Sequence, residues 1–123
     1  MDQQSEFSVI FYEKEDGSMP ARDFILGLDE KLKAKTLRNI NLLAKVGPAL
    51  RKPESSPLDD GIFEIRTKVG TNLTRVLYFF YVSKKAVLTN GFIKKTQKTP
   101  RKEIEIAKKY REDFLRRSNE NEQ

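Results

Sequence analysis

Arg66, Arg75, Lys94, Lys95 and Lys98 are the residues of this chain best suited to chemistry, and the chemistry they suit is on phosphate. A guanidinium forks onto two phosphate oxygens and keeps its proton at any ordinary pH. Three lysines within five residues crowd their charges. Such crowding lowers the pH at which an ammonium releases its proton, so one of them can serve as acid or base near neutrality. Glu64, two residues before Arg66, is the other candidate base, and equally a candidate salt-bridge partner for Arg66 or Arg75. The chain has no histidine, which removes the commonest general base and the commonest metal ligand. No group of acids has metal-binding spacing, and the reading needs no metal and no cofactor.

The charge is segregated. Between Ile65 and Lys102 there is no Asp or Glu, yet ten basic residues fall there: Arg66, Lys68, Arg75, Lys84, Lys85, Lys94, Lys95, Lys98, Arg101 and Lys102. The other fourteen face all 18 acids, so the +6 net charge belongs to one segment and the remainder is mildly acidic. Segregation of this kind points to a polyanion partner more strongly than an overall pI does. The plainer alternative is a solvated surface with chance clustering.

These residues must be positioned by a small scaffold. A length of 123 residues suits one domain spanning 1–123. Apolar residues make up 37% and charged residues 34%, so a small core and a polar surface are expected. No apolar run approaches the roughly 18 to 20 residues that span a bilayer. Met1 to Glu6 is acidic and polar, unlike a secretory leader, and there is no cysteine. A cytoplasmic protein without membrane contact is the expectation.

Phe7 to Tyr12 is β-branched and aromatic and predicts a strand. Asp16-Gly17 marks a turn, and Pro20 can open a short helix over Ala21 to Leu28. Asp29 can cap a second helix reaching about Val46, where Gly47-Pro48 stops it. Its Lys31, Lys33, Lys35 and Arg38 read as a wet face, with the alternative that they extend a basic surface. Leu50 to Asp60, with Pro53, Pro57 and Asp59-Asp60-Gly61, reads as an irregular connector.

Ile62 to Thr67 alternates as a half-buried strand, Phe63 and Ile65 on one face, Glu64 and Arg66 on the other. Leu73 to Val82 is apolar on both faces and predicts a central, doubly covered strand. Arg75 interrupts its start. A cation there must be paired or wet, so it either pairs with Glu64 or meets a phosphate. Tyr78 to Tyr81 read as core rather than as stacking platforms, because they sit mid-strand. Ala86 to Ile93 is the last strand. Thr99 can cap, and Pro100 open, a final helix whose Ile104, Ala107 and Phe114 share a face. Ser118 to Gln123 is polar and expected to be a frayed, disordered tail. The expected fold class is α+β: a small, mainly antiparallel four-stranded sheet with two N-terminal helices and one C-terminal helix.

Three blocks carry a family resemblance. They are Leu58-Asp59-Asp60-Gly61-Ile62-Phe63-Glu64-Ile65-Arg66, then Thr74-Arg75-Val76-Leu77-Tyr78-Phe79-Phe80, then Gly91-Phe92-Ile93-Lys94-Lys95-Thr96-Gln97-Lys98-Thr99-Pro100 followed by Glu103-Ile104 and Ala107. In order and spacing they resemble the RelE/ParE superfamily of toxin–antitoxin toxins, and more narrowly its phage-derived, HigB-like branch.

The resemblance implies a RelE-like fold and a toxin of a type II system, held in check by a cognate protein antitoxin, of helix-turn-helix, HigA-like type. It implies a ribosome-dependent mRNA endonuclease with ribosome and mRNA as partners, or alternatively a ParE-like gyrase poison that cuts nothing. A third alternative is a basic RNA-binding module without cleavage. Carried over residue by residue, it gives Arg66, Arg75, Lys94 and Lys95 catalytic parts beside Glu64. Lys68, Lys98, Arg101, Lys102 and Phe92 become candidate RNA contacts, with core packing the other reading of Phe92. RelE has lysines on its second strand where this chain offers Glu64, and a tyrosine in the last segment where this chain shows Ile104. The better-studied HigB toxins use histidines, which this chain lacks.

Overall fold

The apolar run that begins near Leu73 organises the molecule, because its side chains need cover on two faces at once. The computed structural model describes residues 6–95 and 98–121. In chain order they form β1 (Ser8–Phe11), α1 (Pro20–Leu26), α2 (Glu30–Val46), a 3-10 turn (Gly47–Ala49), β2 (Ser55–Asp59), β3 (Ile62–Val69), β4 (Asn72–Tyr81), β5 (Lys85–Ile93) and α3 (Arg101–Asn121). The sheet order is β1-β5-β4-β3-β2. β4 is therefore the middle strand, antiparallel to both neighbours, and only β1 pairs in parallel, with β5.

Alternation along β4 sends its apolar residues to two cores. Val76 and Tyr78 join Ile65, Ala86 and Leu88 against Ala21, Ile25, Ile40 and Leu43 of α1 and α2. Leu77 and Phe79 join Ile62 and Val87 against Tyr12 and against Ile104 and Ala107 of α3. Two helices thus cover one face and one helix the other. Local signals hold where they act within a few residues. The Asp29 side chain accepts the Leu32 backbone N–H at 3.0 Å, and Gly47 ends α2 in a positive-φ conformation.

The structure corrects the expected strand count from four to five. Ser55–Asp59 is strand β2, not an irregular connector, and pairs antiparallel with β3. Pro57 cannot donate to a ladder, but β2 is an edge strand with one neighbour, where proline is tolerated. Ser55 is buried and shares a 2.6 Å hydrogen bond with the Tyr78 hydroxyl, which ties the edge to the centre of the sheet. The tail expectation is also corrected. α3 runs through Ser118 to Asn121, and ion pairs from Asp113 to Arg116 and Arg117 and from Arg116 to Glu120 lace its last turns. Glu122 and Gln123 lie outside the described residues, as do Thr96 and Gln97 of the third block.

An irregularity in β5 decides which way the end of that strand faces. Val76 pairs with Gly91 and Tyr78 with Leu88, so β5 spends three steps where β4 spends two. This bulge at Thr89–Asn90 reverses the alternation of the rest of β5. Val87 faces α3 before it. Beyond it Gly91 faces α1, while Phe92 packs with the α3-side core. Asn90 itself reaches the first turn of α3 and donates to the Glu103 side chain at 3.1 Å.

Gly91 is needed for space. A Cβ there would stand 2.4 Å from Cδ2 of the Phe24 ring. Gly91→Ala is expected to cost about 1–3 kcal/mol through overpacking, read from urea denaturation. An unchanged midpoint would mean that α1 yields to the methyl without loss.

Candidate phosphate-binding site

Register places the predicted arginines side by side. Arg66 of β3 stands opposite Arg75 of β4, and Arg75 stands opposite Phe92 of β5. Glu64, two residues before Arg66, lies on the same face, diagonal to Arg75. Thanks to the bulge, Lys94 follows Phe92 onto that face, its backbone N–H bonded to the Leu73 carbonyl. The four residues meet where the α3-side face of the sheet runs out towards the start of α3.

A concavity of about 430 Å³ opens there. Glu64, Arg66, Lys94 and Lys98 line it, with Thr99 at the entry to α3. Lys52, Ser56, Pro57 and Leu58 close it from the β2 side. Among its described lining there are four cations and one carboxylate.

That carboxylate is already engaged. Glu64 is buried, and its Oε1 lies 3.4 Å from Nε of Arg75, itself only 3% exposed. The two face each other without hydrogen-bond alignment, for Arg75 Nε has no hydrogen-bond partner among the described residues. Arg75 Nη1 donates to the Thr74 carbonyl at 2.9 Å. The salt-bridge alternative for Glu64 is thus realised, with Arg75 as partner. Thr99 corrects an expectation. Its hydroxyl donates to Glu64 Oε1 at 2.5 Å instead of capping the final helix. The Pro100 carbonyl accepts the first α3 bonds from Glu103 and Ile104, so Pro100 precedes the helix.

Arg66 is half-buried, and no ion pair or side-chain hydrogen bond of its guanidinium is found among the described residues. Its charged neighbours Arg75 and Lys94 repel it. Burial pulls the Arg75 guanidinium below its ordinary value, Glu64 opposes this and Arg66 adds to it. Burial likewise lowers Lys94, the Arg75 charge lowers it further, Glu64 partly offsets, and Arg66 adds a last push. Arginines from β3 and β4, brought there by the sheet, thus act on Lys94.

The other predicted residues separate. Lys95, Lys102 and Lys68 are exposed and lie outside that lining. Arg101 is exposed but tied to Asp59 at 2.8 Å and to Glu105 at 2.9 Å. Phe92 is partly buried against the α3-side core, the packing alternative. Lys84 and Lys85 leave the basic arc altogether. They sit at the β4–β5 turn, seven residues along β4 from the Thr74–Ile93 pair, or roughly 24 Å at strand rise. Sequence reasoning misses Lys52 and Ser56 because they belong to a stretch that reads as a connector. A Ser-Ser-x-Leu alternation beside Pro57 is the one faint strand signal there.

Residues 23–112 match the family of phage-derived Gp49-like proteins. The match covers most of the chain and every lining residue of the concavity. The chain belongs to this family, a family of RelE-like toxins of toxin–antitoxin systems. A search of curated proteins found no match. Among the described residues no helix is long and apolar enough to cross a membrane.

Proposed function

We propose that this protein is a toxin that cuts mRNA on the ribosome, and that its 430 Å³ concavity takes the scissile phosphate. The observation that carries the reading is Arg66: a half-buried guanidinium opposite Arg75 and beside Lys94, with no anion found for it among the described residues. Holding a guanidinium against like charges costs stability, and an incoming phosphate relieves that cost. The antitoxin is a protein of the helix-turn-helix, HigA-like kind, in keeping with the HigB-like resemblance.

In the reaction the 2′-oxygen attacks phosphorus in line. The bond from phosphorus to O2′ forms, the bond to O5′ breaks, and a 2′,3′-cyclic phosphate is left with a free 5′-hydroxyl. Arg66, backed by Arg75, stabilises the charge that gathers on the phosphorane oxygens. Glu64, the carboxylate of the hollow, takes the 2′ proton. Lys94 gives its proton to the departing 5′-oxygen, a task suited to an ammonium whose pKa is lowered. Lys98 and Lys52 hold flanking phosphates, Lys95 and Lys102 add to the cationic field around them, and the ribosome supplies alignment of the message.

The test adds purified protein to a translation extract and maps message ends. Fresh 5′ ends at A-site codons are expected. Intact message together with inhibited DNA supercoiling would replace this reading with a gyrase poison.

The role of Lys94 has a pH signature. Its protonated form is the active one, and its pKa lies below the ordinary 10.5. The alkaline limb of kcat/KM is therefore expected below that value, and Lys94→Arg should remove the limb while lowering the plateau. Stability moves the other way. Between the folded and unfolded pKa of Lys94 the unfolded chain binds more protons, so this group makes folding more favourable as pH rises. An alkaline limb unchanged in Lys94→Arg would take the proton transfer away from this residue.

A further inference from the structure

A second, smaller hollow lies across Arg66 from the first. It has a volume of about 200 Å³ and is lined by Lys35 of α2, Arg66 and Lys68 of β3, and Arg75 of β4, with Glu54 as its one carboxylate. At roughly 30 Å³ of liquid volume per water molecule, that is ample room for the five heavy atoms of a phosphate group. Lys35 is not simply waving in solvent. Its Nζ donates to the Lys68 carbonyl at 2.7 Å, which pins the ammonium over the end of β3. The backbone beneath is also held, because Asn39 Nδ2 donates to the Arg66 carbonyl and to Thr67 Oγ1, each at 3.1 Å. Basic residues of three elements thus line a hollow whose described lining holds one acid, and Arg66 lines both this hollow and the larger concavity.

We propose that this hollow is a second phosphate subsite, so that one RNA strand crosses the end of the sheet with successive phosphates on either side of Arg66. The inference rests on the reading that the ligand is RNA. It gives Lys35 a substrate-binding part that its place on the exposed face of an amphipathic helix conceals.

The test uses the full chain and uncleavable 2′-deoxy oligonucleotides carrying one, two or three phosphates, with affinity read by fluorescence anisotropy over a salt series. Lys35→Gln and Lys68→Gln are made singly and together. Lys68→Gln keeps the carbonyl that Lys35 holds, and both side chains are exposed, so folding is preserved and is checked by circular dichroism. The double variant is expected to bind the single-phosphate ligand as wild type does. It should bind the two- and three-phosphate ligands about five- to tenfold more weakly, with the slope of log K against log salt shallower by about 0.7 for the lost phosphate. Wild-type affinity of the double variant for every length would overturn the subsite and leave the RNA reading standing. Failure of the wild-type protein to bind any length would overturn both.

Discussion

Arg66→Ala is expected to slow message cleavage by about 10²- to 10³-fold, the loss seen when one preorganised donor to a developing oxyanion is removed. The site gives a reason for so large an effect. Arg66 is held by the β3 ladder opposite Arg75, whose like charge an incoming phosphate would offset. Arg66→Lys keeps a charge but loses the two-pronged geometry, so an intermediate loss is expected. Both should act on kcat more than on KM, because the extra charge on phosphorus exists only in the transition state. The measurement is the rate at which new 5′ ends accumulate in a translation extract at fixed protein concentration. Wild-type cleavage by Arg66→Ala would move the scissile phosphate to another part of the surface.

Glu64→Ala is expected to destabilise the fold by about 3–5 kcal/mol, because it strands the Arg75 guanidinium in the core without its anion. It also removes the acceptor for Thr99 and so loosens the approach to α3. Denaturant unfolding checks the size of the loss. Replacing both members, as Glu64→Leu with Arg75→Met, should restore most of that stability, since an apolar pair of similar volume has no charge to leave bare. If the single variant unfolds at the wild-type midpoint, the 3.4 Å pair contributes little and Arg75 is solvated some other way. Glu64→Gln separates structure from chemistry. It keeps the shape and an acceptor for Thr99, so a cleavage defect beyond its stability loss reports the base.

The two halves of this site differ in how far the sequence announces them. Glu64 and Arg66 alternate with Phe63 and Ile65, and that period of two is enough to put the charged pair on one face. Arg75 stands out as a cation at the head of an otherwise apolar strand. Lys94 does not stand out in the same way. Its face depends on the extra residue at Thr89–Asn90, and without that bulge an even count from Val87 would turn it away from α3. Lys52 and Ser56 are hidden for a different reason. Pro57 argues against a strand by its own chemistry, and only the position of β2 at the edge of the sheet removes the objection. Thr99 has a local reading as a helix cap, and a buried carboxylate 35 residues away proves the stronger partner.

By itself the sequence determined what depends on neighbours along the chain: the acid-free cationic segment, the doubly apolar β4, and α2 with Asp29 at its start and Gly47 at its end. Each of these arises from contacts within a turn or two, or from composition alone. The tertiary structure decided which cations face one another. That outcome turns on pairing register, on one bulge in β5 and on an edge strand that exists only because β3 offers it a ladder. Hydrogen bonds between distant segments set those choices, and their energies are not written in the order of the residues they join.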